Sequence, residues 1–78
     1  MSVNMSDVEL LTRAGEALWG ERWQAPMARF AKVQRQTVQD WKRGHSRIPP
    51  GIYAELAAEI SKRIEELRTV KRTLLDRK

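Results

Sequence analysis

Cysteine is absent from the 78 residues. Disulfides, thiolate metal sites and cysteine nucleophiles are therefore excluded, and a reducing cytoplasm is the compartment that fits. Histidine occurs once, at His45, which leaves no pair for a metal site or for general acid–base work. The four glycines are scattered, and no glycine-rich phosphate loop can be assembled from them. The carboxylates fall on the polar faces of expected helices, where salt bridges account for them. Catalytic residues, metals, cofactors and small-molecule ligands are thus not expected. Long apolar runs are missing too: none approaches the roughly 20 residues of a membrane-spanning helix. The opening MSVNMSDVELL also lacks the basic-then-apolar order of a signal peptide. No membrane partner is expected.

What is present is positive charge, and it is unevenly placed. The chain carries a net charge of +5 at neutral pH. Residues 29–47 hold Arg29, Lys32, Arg35, Lys42, Arg43 and Arg47 against Asp40 alone, a net +5 in that window. Residues 1–28 and 48–60 are each net acidic, and the stretch from Ser61 onward is basic with Glu65, Glu66 and Asp76 interspersed. A basic excess gathered in one short window is the electrostatic footprint of a phosphate-binding surface.

That window overlaps the stretch around which the chain is organised, Gln24 to Gly44, QAPMARFAKVQRQTVQDWKRG. It reads as two short helices joined by a tight turn. The first carries Pro26, Met27, Ala28, Phe30 and Ala31; the turn falls at Lys32-Val33-Gln34; the second runs from Arg35 to about Arg43 and stops at Gly44, which suits a left-handed C-cap. Ala28, Val33, Val38 and Trp41 fall where crossing helices need apolar contacts, and Ala28 is small enough for close approach. Val38 and Trp41 are three apart and share one face. Arg35, Gln36, Gln39 and Arg43 project away from it. Arginine and glutamine make bidentate contacts to guanine and adenine edges in the major groove. A solvated amphipathic face is the plain alternative for such a helix taken alone; the preceding helix, the tight turn and Ala28 favour the reading as a base-reading helix.

With those residues in place, the stretch resembles the helix-turn-helix of the lambda-repressor and Cro-like (XRE) family. The matching positions are Gln24, Ala25, Ala28, Val33, Thr37, Val38, Trp41 and Gly44. The resemblance covers about residues 8–60. It implies an all-α fold, a small lambda-repressor-like domain of about four helices. It further implies that Gln24 contacts a phosphate, and that Gln34, Arg35 and Gln36 read bases, with Gln39 and Asp40 one turn on. Phosphates are expected near Lys32, Thr37, Lys42, Arg43, His45 and Arg47 as well. One departure stands out: the family usually has glycine at the first turn position, and this chain has Lys32. A non-glycine residue there must adopt an uncommon backbone conformation, at about 1 kcal/mol.

The remaining segments are expected to support this unit. Residues 1–5 carry no pattern and are expected to be disordered. Ser6-Asp7-Val8-Glu9 reads as a capping box opening a helix that runs to about Trp19, with Leu10, Leu11, Ala14, Leu18 and Trp19 as its apolar stripe and Gly20 at its end. Trp19 and Trp23 are expected in the core near Met27 and Phe30. They lie in the acidic part of the chain, away from the cations that a base-stacking platform would need. After Gly44 comes a loop in which Ile48 anchors to the core, and Pro50 fits the first turn of a last helix. Ile52, Tyr53, Leu56, Ala57 and Ile60 then close the core.

The last helix has no internal breaker and can run to Leu75. Ile60, Ile64, Leu67, Val70 and Leu74 continue an apolar stripe that a core this small cannot cover, and part of it follows the spacing of a coiled-coil seam, with Lys71 interrupting. A frayed amphipathic tail is the other reading. The expected organisation is a DNA-binding domain over residues 6–60 and a helical extension over residues 61–78 that pairs two copies. Function is expected to be that of a dimeric, sequence-specific double-stranded DNA-binding repressor on a palindromic operator. It would be akin to small phage Cro-type or anti-CRISPR-associated regulators, or to the antitoxin half of a toxin–antitoxin pair. A helical protein-interaction module and a small-terminase-like DNA-packaging subunit are the alternatives.

Overall fold

The computed structural model describes residues 6–77; the N-terminal five, expected to be disordered, lie outside the described residues. Four helices follow one another: α1 (Asp7–Trp19), α2 (Gln24–Ala31), α3 (Arg35–Arg43) and α4 (Pro50–Asp76). There is no strand among the described residues, and the fold is all-α with a long C-terminal helix.

Local chemistry sets the boundaries. The Ser6 hydroxyl accepts from the Glu9 amide at 3.1 Å and the Glu9 carboxylate accepts from the Ser6 amide at 3.4 Å. The capping box therefore forms and satisfies two first-turn donors of α1, a cap worth about 1 kcal/mol. At the other end Gly20 takes φ 82° and donates to the Glu16 carbonyl at 2.8 Å. Gly44 ends α3 in the left-handed conformation, φ 76°. Its neighbours His45 and Ser46 donate to the Asp40 carbonyl at 2.9 and 3.3 Å, which folds the following loop back under α3. Pro50 occupies the first turn of α4, where its missing N–H is harmless.

Lys32 does what the turn demands of a glycine. It sits in the left-handed region, φ 58° and ψ 44°, so that the Val33 amide reaches the Ala28 carbonyl at 3.0 Å. The strain is that of an L-residue in this conformation. Lys32→Gly is expected to raise the stability of the domain by up to about 1 kcal/mol, read as a higher midpoint in thermal unfolding. A lower midpoint would mean that the lysine side chain contributes more than its backbone costs.

The core is built from Leu11, Leu18, Trp23, Met27, Ala28, Val38, Trp41, Ile48, Ile52 and Leu56, with Leu11, Met27 and Val38 fully enclosed. Trp23 is the centrepiece. It lies over Gly15, close enough that a Cβ there would stand 2.4 Å from the ring. Trp19 is only half-buried and packs on Phe30 with ring centroids 5.5 Å apart, a tilted aromatic pair at the edge of the core.

Two expected core positions are elsewhere. Leu10 is 45% exposed, and Ala57 is exposed as well. The inward face of α1 is centred on Leu11, Gly15 and Leu18, and that of α4 on Ile52 and Leu56. Leu10 and Ala57 lie one position over, on the edges where α1 and α4 meet side by side, and the chain lays nothing across that seam. The two helices run the same way: Asp7 lies beside Tyr53 at one end and the Arg63 guanidinium donates to the Leu18 carbonyl at 3.0 Å at the other. Arg63 also pairs with Glu59 at 3.3 Å. A cation on the last carbonyls of α1 complements its dipole. The contacts of the folded unit therefore reach Arg63, past the boundary expected at residue 60, and α4 crosses that boundary unbroken.

Near Asp7, the Tyr53 hydroxyl is enclosed. Burial first, then the Asp7 charge, raise its pKa above the ordinary phenol value. The neutral form is thus favoured in the fold. Its contribution is intact below the unfolded phenol pKa, about 10, and is lost as pH rises through the folded value.

Candidate nucleic-acid interface

The surface of interest is made by α2 and α3, and its geometry follows from how α3 is seated. Val38 and Trp41, 0% and 3% exposed, press that helix onto the core. At 100° per residue, this turns Gln36 and Arg43 directly outward and puts Arg35, Gln39 and Lys42 on the flank nearest α2. Thr37 and Asp40 occupy the opposite flank. Arg35, Gln36, Lys42 and Arg43 are exposed, and Thr37, Gln39 and Asp40 are half-buried.

Gln24, the first residue of α2, faces that near flank. One cleft is lined by Gln24, Gln39, Lys42 and Arg43. A second, adjoining it through Gln24, is lined by Glu21, Arg22, Ala25 and Arg35. The fold thus gathers five of the expected site residues, Gln24, Arg35, Gln39, Lys42 and Arg43, around two shallow depressions. Arg22 joins them. Sequence reading overlooked it, although a cation two residues before Gln24 was a signal that could have been followed.

The helix starts add to the positive character of this surface. Neither α2 nor α3 has a side-chain N-cap. Their first-turn N–H groups are left without a side-chain acceptor, at the positive ends of their dipoles. Gln34 precedes α3 in extended conformation, and its carbonyl accepts from the Thr37 amide at 2.9 Å. Its side chain is exposed.

Asp40 is the single acid of α3, and it is engaged: Gln36 Nε2 donates to Asp40 Oδ1 at 3.1 Å, one helical turn away. Lys32, His45 and Arg47 are exposed but do not line either cleft. Lys32 stands in the turn, and His45 and Arg47 in the loop between α3 and α4, so they flank the surface from its two ends. The arrangement can accept anions along a shallow, cationic, amide-bearing face. No group of three or more His, Cys, Asp or Glu side chains comes together among the described residues, and no described helix is long and apolar enough to cross a membrane. Comparison of the chain with protein-family models, with curated proteins and with solved structures gives no match.

Proposed function

We propose that this chain is a cytoplasmic, sequence-specific double-stranded DNA-binding protein. It acts as a homodimeric transcriptional repressor and lays α3 in the major groove of a palindromic operator. The observation that carries the reading is the division of α3. Val38 and Trp41 are buried on one side, and Arg35, Gln36 and Arg43 are exposed on the other, beside Gln24 at the start of α2. A helix held this way can offer arginine and glutamine to base edges while the neighbouring helix start and lysines meet phosphates. The resemblance of Gln24–Gly44 to the lambda-repressor and Cro-like helix-turn-helix supports the same reading. In this reading repression works by occupancy: the bound dimer blocks polymerase.

In this reading Arg35 and Gln36 contact bases, with Gln39 secondary, and Gln24, Lys42 and Arg43 contact phosphates. Arg22 joins the phosphate group. Selection of bound sequences from random duplexes, with the mass of the complex measured alongside, is the test. A preferred palindrome bound by two copies is the expected result. A ring-sized assembly would point to DNA packaging, and no DNA binding would leave a protein-interaction module.

Arg35→Ala is expected to cost about 1–3 kcal/mol on the preferred site and to relax preference at one base position. Lys42→Ala is expected to weaken all sequences alike and to flatten the dependence of log K on log salt by about one unit. If Arg35→Ala left the selected sequence unchanged, the base-reading face would have to be reassigned.

A further inference from the structure

Past Arg63 the chain sends out an arm. The stretch from Arg63 to Asp76 is continuous helix, about 20 Å at 1.5 Å per residue, and it extends beyond the end of α1. Its apolar residues stand in solvent: Leu67 and Leu74 are 67% exposed and Leu75 is 71% exposed. On the domain itself, the seam between α1 and α4 is an open apolar groove lined by Leu10, Ala14, Tyr53, Ala57 and Ile60. An uncovered stripe and an uncovered groove on one small chain are two halves of a contact.

The arm cannot fill its own groove, because α4 has no break at which to fold back. A second copy can. The groove is lined by residues 53–60 of α4, a length that the arm, residues 67–77, is long enough to cover. Charge fixes the direction. α1 is net −2, from Asp7, Glu9 and Glu16 against Arg13. Residues 50–66 are also net −2, from Glu55, Glu59, Glu65 and Glu66 against Lys62 and Arg63. Residues 67–77 are net +3, from Arg68, Lys71, Arg72 and Arg77 against Asp76. Antiparallel pairing sets each basic arm beside an acidic groove. Parallel pairing sets like beside like and stacks Lys71 on its own copy in the middle of the seam.

We propose that a second copy of this chain lays its residues 67–77, antiparallel, along the α1–α4 groove and receives the first copy's arm in return. The exchange is two-fold and self-complementary. The partner's Leu74 and Leu75 fill the space beside Ala57 and Leu10. The partner's Arg77 comes to the Asp7–Tyr53 end, where the exposed Asp7 carboxylate can receive it. Lys71 lies its stem along the apolar seam and carries its ammonium outward. The arrangement rests on the pairing of two copies proposed above, but not on DNA binding.

The absence of cysteine makes the test clean. Ala57→Cys and Leu74→Cys are introduced in separate chains, both at exposed positions, with a tag on one. They are mixed, allowed to exchange and oxidised without DNA. The expected product is the mixed disulfide between position 57 of one chain and position 74 of the other, while neither variant alone cross-links. Self-cross-linked 57–57 and 74–74 products would overturn the antiparallel arrangement and leave the dimer. A dimer with no cross-link of either kind would move the interface elsewhere and overturn it equally. Light scattering that finds the unaltered chain monomeric would overturn the pairing itself, whatever the outcome of the DNA selection.

Discussion

Trp41→Ala is expected to leave the chain largely unfolded. Trp41 is 3% exposed, among the core residues between α3 and the rest of the domain. Truncating a large buried side chain costs about 3–5 kcal/mol, the lost transfer energy plus the cavity left behind. Whole domains have about 5–15 kcal/mol in hand, with small ones toward the lower end, so one such cavity consumes most of the margin. The measurement is helical circular dichroism through a thermal scan. Trp41→Phe, which keeps most of the apolar volume, is expected to melt lower than the parent but to retain its helices and its DNA binding. A Trp41→Ala chain with an unaltered melting midpoint and no DNA binding would instead make Trp41 a contact residue and reverse the orientation of α3.

The second large effect runs against helix propensity. Alanine in place of a mid-helix glycine ordinarily stabilises by about 1 kcal/mol. At Gly15 the sign is expected to invert. A Cβ there would meet three ring atoms of Trp23 at 2.4, 2.5 and 2.9 Å, and Trp23 is a core side chain, 2% exposed. Relief requires α1 to move off the ring. Overpacking of this kind costs about 1–3 kcal/mol and sometimes more, so Gly15→Ala should lower the melting midpoint by many degrees. Gly51 provides the internal control. It lies in the first turn of α4 with nothing within 4 Å of its virtual Cβ, and Gly51→Ala is expected to raise the midpoint. Equal, favourable shifts at both positions would mean that Trp23 does not sit where the geometry places it.

The two tests touch features of unequal legibility. The capping box at Ser6, the stops at Gly20 and Gly44 and the Val38/Trp41 face were all readable, because each is a local rule written over three or four neighbouring residues. So were the bounds of α2 and α3 and the turn at Lys32, although there the glycine that normally marks such a turn is missing. Gly15 was not readable. Its need for close approach comes from Trp23, eight residues away and on another segment. Leu10 and Ala57 fit the apolar period as well as their neighbours do, and periodicity gives a face without saying which edge of it a partner covers. Spacing alone gives Arg63 no role. Only the fold brings it to the Leu18 carbonyl, 45 residues away in sequence. On the candidate surface, the type and side of the α3 residues were legible from spacing. The cleft shared by Gln24, Gln39, Lys42 and Arg43 depends on the crossing of two helices, and Arg22 enters through the connection between α1 and α2.

The Gln36–Asp40 hydrogen bond sets a donor–acceptor code on the outer side of α3. A free glutamine amide can rotate and offer its oxygen and nitrogen in either order. Here one N–H is committed to the Asp40 carboxylate at 3.1 Å. The groups left over are one N–H and the carbonyl oxygen, a single donor beside a single acceptor. Adenine presents the complement in the major groove, the N6 amino group beside N7. On the DNA-binding reading, Asp40 therefore acts as an orienting group and not as a base contact. It keeps its negative charge turned to a neighbour on its own helix instead of toward phosphates, and the tethered amide loses less rotational freedom on meeting adenine than a free one would.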